Sequence, residues 1–175
     1  MFNNNFILKD GIVDFNLKDS VTSKVGNFYE EDPFPNYKIN DNKHTILQIG
    51  ERNILLKEFK KFIGFNKSLI DIGSGTCQVS NYLAIGTNNQ IYAFDSSFHS
   101  LKLGKEFADK NNIKNIKFVR GDIFTKNFKA ESFDFIWCNG VLHHTKDPYE
   151  AFKCIIPSLK KNGYILLGLY NKIGR

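Results

Sequence analysis

The sequence predicts an α/β fold in which a mainly parallel, doubly wound sheet is covered by helices. From residue 68 onward, short apolar runs typical of buried strands alternate with amphipathic stretches typical of helices. This alternation favours parallel strands joined by helical crossovers. Four of the apolar runs end in a polar residue, and the carboxyl ends of parallel strands meet at one edge of a sheet. A ligand is expected at that edge.

The predicted elements follow from the spacing of the apolar residues. The strands are expected at residues 68–72, 90–95, 116–119, 133–138 and 164–169. Helices are expected at residues 78–85, 97–110 and 148–159, the last with Asp147 as its N-cap and Pro148 as its first residue. A turn at residues 161–163 should precede the last strand. An earlier helical pattern runs from residue 40 to Gly64, and Gly50 is its expected break.

Residues 1–40 are expected to form a β-hairpin and an extended arm, ahead of a main domain at residues 41–175. Residues 6–15 are typical of two short strands about an Asp-Gly turn, and a lone hairpin must pack on something else. Pro33 and Pro35 exclude a helix and favour an extended arm. The arm either covers an active site or protects a sheet edge, and the sequence leaves both open.

The composition indicates an ordinary single domain. Its 175 residues are 42% hydrophobic and 24% charged, with a formal net charge of +6. The lysines are spread over every segment without a run of five like charges, so a nucleic-acid partner is not favoured. No apolar run is long enough to cross a membrane. The three cysteines have no metal-binding spacing, which favours buried thiols in the cytoplasm and no metal site; they are Cys77, Cys138 and Cys154.

The central motif is the stretch SLIDIGSGTC at residues 68–77, which predicts a buried strand, a tight turn and the start of a helix. Gly73 and Gly75 allow the backbone to turn sharply and to approach a ligand closely. Asp71 lies at the end of the strand, where its carboxylate would face that ligand. An acid in this place suits a positively charged group better than a phosphate.

The ends of the other strands predict that the ligand contains a nucleoside. Asp95 follows Gly73 by 22 positions, the distance at which an acid reaches a ribose diol. Asp122 and Ile123 would suit the amino group and the ring face of adenine. A dinucleotide is disfavoured, because Asp71 would repel its pyrophosphate and because Gln78 stands where the third glycine of the dinucleotide motif would fall.

These motifs together resemble those of the class I S-adenosylmethionine-dependent methyltransferases, which have a Rossmann-like sheet. The matching stretches are LIDIGSG (69–75), YAFDS (92–96), VRGDI (119–123), FDFIWCNGVLHH (133–144) and LKKNGYI (159–165). The resemblance covers roughly residues 42–170. It implies methyl transfer from S-adenosyl-L-methionine, held by Asp71, Gly73, Ser74, Gly75, Asp95, Ser96, Asp122, Ile123, Asn139 and Gly140.

The sequence departs from the family pattern in two places. Cys77 stands where the family usually has a third glycine, which predicts a looser fit there. The family's sheet ends in an antiparallel hairpin of a sixth and a seventh strand, and residues 1–175 do not supply it. Either the chain is part of a longer protein, which we favour, or self-association covers the exposed sheet edge.

The acceptor is expected to be a small molecule with a reactive oxygen, nitrogen or carbon atom. Asn139 and Gly140 do not continue into the Pro-Pro-Tyr/Phe pattern of enzymes that methylate nucleobase amines, so nucleic acid is the less favoured acceptor. His143 and His144 are the candidate general bases. The competing interpretation is structural, one histidine capping the next helix and the other packing on an aromatic ring. A nicotinamide-dependent oxidoreductase and a non-catalytic cofactor-binding domain are the alternative functions.

Overall fold

The computed structural model describes residues 1–15 and 34–170. A seven-stranded sheet lies at the centre, with the strand order β1-β2-β5-β4-β3-β6-β7. The antiparallel pairing of β1 with β2 opens the sheet, and every later pairing between these strands is parallel, which confirms the predicted fold class. The strands are β1 (Ile7–Lys9), β2 (Ile12–Asp14), β3 (Ser68–Ile72), β4 (Gln90–Asp95), β5 (Ile116–Arg120), β6 (Phe133–Asn139) and β7 (Leu159–Gly168).

Five α-helices and two short 3-10 helices connect the strands of the described segments. The α-helices are α1 (Lys43–Arg52), α2 (Ile54–Ile63), α3 (Gln78–Ala84), α4 (Phe98–Lys110) and α5 (Pro148–Ile155). The 3-10 helices are Leu142–His144, after β6, and Ile156–Ser158, after α5. Asp147 caps α5 as expected, because its carboxylate accepts hydrogen bonds from the amides of Tyr149 and Glu150.

The side chains of the sheet divide between two apolar layers. One layer contains Leu69, Ile91 and Phe135 and is covered by buried residues of α1 to α4. The opposite layer contains Ile70, Tyr92 and Ile136 and is covered by α5 and by phenylalanine rings from the N-terminal segment and from the loop after β5. The alternation of neighbouring residues between these layers is the two-residue period of a strand that is buried on both faces.

The N-terminal hairpin extends the sheet beside β5. β2 runs parallel to β5, with Val13 opposite Val119 and Asp14 opposite Arg120. Phe2 reinforces this edge through an isolated bridge to Phe128. The hairpin therefore packs on the main sheet, as the weakness of an isolated hairpin requires.

Three predicted boundaries are wrong. The helix expected at residues 148–159 ends at Ile155, because Pro157 cannot continue an α-helix, and Leu159 already begins β7. The first helical region breaks at Asn53, whose side chain caps α2, and Gly50 lies inside α1. Gly50 is needed there for space, because a Cβ atom would collide with the ring of Tyr82. The residues of the expected turn, 161–163, belong to β7. Asn162 has a left-handed backbone conformation there, and the strand stays continuous because its register with β6 shifts between Phe133 and Phe135.

No helix within residues 1–15 and 34–170 is both long enough and apolar enough to cross a bilayer. β7 forms the edge of the sheet opposite to β1, and every residue of β7 is at least partly exposed. The proposed boundary at residue 40 between arm and main domain stays a prediction.

Candidate active site

The glycine turn between β3 and α3 forms the floor of the site. The amides of Gly73 and Ser74 both donate hydrogen bonds to the carbonyl oxygen of Phe94, at 2.8 and 3.1 Å. Gly73 has a φ of 68°, and a Cβ atom there would lie 2.8 Å from Cγ1 of Val141 and closer still to Cγ2. Glycine is therefore required at this position for its backbone conformation and for space.

Cys77 occupies a left-handed backbone conformation at the N-cap of α3, with a φ of 62° and a ψ of 28°. This conformation explains why a glycine would suit the position, since a Cβ atom is strained there. The buried Cys77 side chain is accommodated by Gly104 of α4, because a Cβ atom on Gly104 would lie 2.6 Å from the Cys77 sulfur atom. Gly104 thus provides the space for the side chain that Cys77 has and a glycine would lack.

Replacement of Cys77 separates the strain of the backbone from the packing of the thiol. We expect Cys77→Ala to destabilise the protein, because it keeps the strained Cβ atom and removes the buried sulfur. Cys77→Gly should be more stable than Cys77→Ala by about 1 kcal/mol, because glycine accepts a positive φ. Urea unfolding of the two variants measures the difference. Equal stability of both variants would contradict a strained Cys77.

Asp71 lies at the end of β3 beneath the glycine turn and is 2% exposed. Burial raises the pKa of its carboxyl group to about 7; the hydroxyl of Ser80, which donates a hydrogen bond at 2.6 Å, lowers the pKa, and the neighbouring charge of Asp95 raises it. A buried carboxylate of this kind is stabilised by a cationic ligand group, so the site favours a ligand with an ammonium group.

Asp95 lies at the end of β4, on the other side of the glycine turn. Its Oδ2 atom accepts a hydrogen bond from the Gly75 amide at 2.8 Å, and its Oδ1 atom accepts one from the Ser97 amide at 2.9 Å. A carboxylate has about four acceptor positions, so the same oxygens can also accept hydrogen bonds from a diol. The two amides fix the orientation in which Asp95 meets a ligand.

The described part of the arm, residues 34–40, lies over the glycine turn. A Cβ atom on Gly75 would lie 2.6 Å from the carbonyl oxygen of Phe34, so the two backbones are in close contact. Tyr37 anchors the arm, because its hydroxyl donates to the Thr76 carbonyl at 2.8 Å and its ring stacks on Phe107 at 4.5 Å. Of the two placements that the sequence left open, the structure shows residues 34–40 of the arm beside the site. Residues 20–33 of the expected arm lie outside the described residues.

These elements enclose a cavity of about 580 Å³ at the carboxyl ends of β3, β4, β5 and β6. Its volume lies in the range of small-molecule and cofactor sites. Nine of the ten predicted cofactor-binding residues line it: Asp71, Gly73, Ser74, Gly75, Asp95, Ser96, Ile123, Asn139 and Gly140.

Asp122 does not line this cavity. Its carboxylate accepts a hydrogen bond from the Phe124 amide at 2.9 Å and so closes the turn after β5. Its neighbours Gly121 and Ile123 line the cavity instead. The predicted contact between Asp122 and a ligand therefore stays a prediction, and the structure shows its side chain in the turn.

The two candidate bases differ in position. His144 lines the cavity, whereas His143 does not and packs between His144 and Tyr170, with ring centroids 4.1 and 4.2 Å away. Asp147 caps the next helix, so neither histidine is needed for that purpose. A base that acts on a ligand in this cavity would therefore be His144, with His143 behind it.

Several contributors to the site were not among the predicted site residues. Ser80 binds Asp71, and Phe34, Lys146 and Tyr170 line the cavity. Ser80 is the third residue of α3 and lies on the side that faces β3, and this spacing from the glycine turn was the signal available. The other three lie in segments without regular spacing, where a sequence pattern gives no position.

The arrangement fits S-adenosyl-L-methionine. The glycine turn lines the cavity, the buried Asp71 favours an ammonium group, and Asp95 has acceptor capacity for a ribose diol. No group of three or more histidine, cysteine or acidic side chains in the described segments could hold a metal ion.

The family model for the "Methyltransferase domain" matches residues 64–173, well over half of the chain. The chain belongs to this methyltransferase family. The match confirms the resemblance to class I S-adenosylmethionine-dependent methyltransferases. A crystal structure with this fold, that of YcgJ from Bacillus subtilis, has a TM-score of 0.59 and 24% identity, over 64% of this chain and 48% of the other. A candidate S-adenosyl-L-methionine-dependent methyltransferase from Methanococcus maripaludis has a TM-score of 0.58 and 27% identity, over 79% and 69%.

Two curated relatives act on different kinds of acceptor, by their names. The chain is 25% identical over 119 residues to phosphoethanolamine N-methyltransferase 2 of Caenorhabditis elegans, covering 67% of this chain and 27% of the relative. It is 31% identical over 140 residues to ribosomal RNA small subunit methyltransferase G of Prochlorococcus marinus, covering 75% and 58%. The chain thus spans from about a quarter to just over half of the length of these relatives.

Proposed function

We propose that the chain binds S-adenosyl-L-methionine and transfers its methyl group to a small-molecule acceptor. The observation that carries the proposal is the buried carboxyl group of Asp71 beneath a glycine turn, with Asp95 beside it. This pair suits a ligand that has both an ammonium group and a ribose. The methyltransferase-domain match supports the same assignment.

The residues of the site would bind and orient the reactants. When bound, S-adenosyl-L-methionine supplies a methyl group that its sulfonium has already activated for displacement. Asp71 would hold the ammonium group, Asp95 the ribose and Ile123 one face of the adenine ring. Phe34, on the arm, would help to exclude water from the cavity it lines.

His144 is the proposed general base where the acceptor atom must lose a proton. It lines the cavity at the end of β6, and imidazole accepts protons near neutral pH. His143, whose ring packs against it at an angle, would hold its ring in place. An acceptor that carries no removable proton would not need this step.

The small-molecule class of the acceptor rests on the sequence after β6, where Asn139 and Gly140 lack the nucleobase-amine pattern. The names of the two relatives include both a small acceptor and ribosomal RNA, so each class has a precedent in proteins similar to this one. The nicotinamide alternative has no support among the comparisons. A cytoplasmic location remains part of the proposal.

Calorimetric titration with S-adenosylhomocysteine tests the cofactor assignment. We expect wild-type protein to bind it, and Asp95→Ala to lose about 1.5–3 kcal/mol of binding free energy for each charge-assisted hydrogen bond removed. Asp109→Ala is a matched control, because Asp109 is an exposed acid on α4 and pairs with Lys105 away from the cavity. Binding of NADH without any response to S-adenosylhomocysteine would overturn the proposal.

A further inference from the structure

Arg120, at the end of β5, contacts the site only through its neighbours. It does not line the cavity. Its Nε atom donates a hydrogen bond to the carbonyl oxygen of Ser96 at 3.1 Å, and Ser96 directly follows Asp95. The amide of Gly121, the next residue along, donates to the Asp95 carbonyl at 3.0 Å. The end of β5 therefore fixes the backbone that carries Asp95 from two adjacent positions.

The N-terminal hairpin holds Arg120 in this place. Asp14 of β2 is 3% exposed and accepts a hydrogen bond from Nη1 of Arg120 at 3.4 Å. The backbone joins the same residues, since the Phe15 amide donates to the Arg120 carbonyl at 3.2 Å. A buried carboxylate needs a charged partner, so Asp14 and Arg120 stabilise each other's position.

A second contact joins the hairpin to the far end of the loop between β4 and α4, residues 96–97. The ammonium group of Lys9, on β1, lies 4.6 Å from the ring centroid of Phe98, the first residue of α4. Between these two contact points, Ser96 and Phe98, lies Ser97, whose amide donates a hydrogen bond to Asp95. The hairpin thus contacts the α4 end of this loop directly through Lys9, and its Ser96 end through Arg120.

We infer that Arg120 is a positioning residue for the ribose-binding carboxylate, and that the N-terminal hairpin holds it in place through Asp14. The inference rests on the proposed function, because it takes Asp95 as the ribose ligand. The planar guanidinium matters, since it serves Asp14 and the Ser96 carbonyl at once with donors in fixed directions. A lysine would keep the charge beside Asp14 without that fixed pair of donors.

The test compares adenosine with 2′,3′-dideoxyadenosine, two ligands that differ in the ribose diol. Calorimetry of the full chain gives the ratio of their dissociation constants, which measures the contribution of the diol. We expect Arg120→Lys to reduce this ratio by about three- to tenfold, the effect of weakening one charge-assisted hydrogen bond, while dideoxyadenosine binds as in the wild type. Asp95→Ala should bring the ratio close to one.

Two further variants distinguish a positioning role of Arg120 from a general loss of structure. Arg120→Met combined with Asp14→Asn removes both charges and leaves neither partner buried alone; it should reduce the ratio as Arg120→Lys does. Lys117→Met is the control, since Lys117 lies exposed on the same strand with its ammonium over the ring of Tyr92, and it should leave the ratio unchanged.

The outcomes are distinct. A ratio unchanged in both Arg120 variants, or an equal loss of affinity for both ligands, would overturn the positioning role, because general destabilisation does not discriminate between ligands that differ only in the diol. Failure of the wild type to bind S-adenosylhomocysteine would overturn the proposed function and this inference with it.

Discussion

The affinity for S-adenosylhomocysteine is expected to rise as the pH is raised toward about 7, by up to about tenfold per pH unit below that value. Burial holds the Asp71 carboxyl group protonated up to about pH 7, and the neutral acid offers little to an ammonium group. Binding of the ammonium group therefore requires Asp71 to release a proton. Calorimetry between pH 5.5 and 8 in buffers of different ionisation enthalpy would measure both the affinity and the proton release.

The stability of the protein without ligand should change in the opposite direction. In the unfolded chain Asp71 loses its proton near pH 4, whereas in the folded protein it keeps the proton to about pH 7. The folded state then binds more protons than the unfolded state, so the Asp71 contribution to the free energy of unfolding falls as the pH rises through this window. Above about pH 7 the titration of Asp71 no longer changes the free energy of unfolding. Thermal unfolding from pH 4 to 8 measures the decline.

Asp71→Asn separates this effect from other titrations. The neutral amide should flatten the pH dependence of binding, leave affinity low at pH 8 and remove the Asp71 share of the stability decline. Asp134→Asn is the matched control, because Asp134 binds Ser68 and Lys160 away from the cavity. A wild-type affinity that does not change between pH 5.5 and 7.5 would contradict the raised pKa of Asp71.

The part of the site that the sequence predicted is local in the chain. From Asp71 to Gly75, a strand, a turn and a helix start follow one another, so their chemistry is set by neighbouring residues. Asp95 was placed by its spacing from this turn, because a βαβ unit fixes the distance between consecutive strand ends. The parallel sheet followed from the same alternation.

What the sequence missed depends on contacts between distant segments. Gly50 was taken for a helix break because glycine is a poor helix former, but its reason is the ring of Tyr82, 32 positions later. The hairpin was expected to pack on something, yet its parallel position beside β5 is fixed by pairing with Val119 and Arg120. Local patterns carry no information on such pairings.

Gly73→Ala should have the largest effect on stability among the turn residues. The new Cβ atom would meet Val141 and would be held at a positive φ of 68°, so we expect a loss of about 2–4 kcal/mol from strain and overpacking together. Cofactor affinity should fall at least about tenfold, because relief of the clash moves either the turn or the Val141 side chain, both of which line the cavity. Urea unfolding and calorimetry measure the two effects.

Two further variants divide this loss into its causes. Gly86→Ala places the same alanine at a φ of 74° where a Cβ atom would meet nothing within 4 Å, so it should show the backbone strain alone, about 1–2 kcal/mol, with cofactor affinity unchanged. Val141→Ala combined with Gly73→Ala removes the clashing methyl groups and should recover the packing share of the loss. Strictly additive effects of the two substitutions would show that Val141 does not limit the space at Gly73, and the turn would then require glycine for its backbone conformation alone.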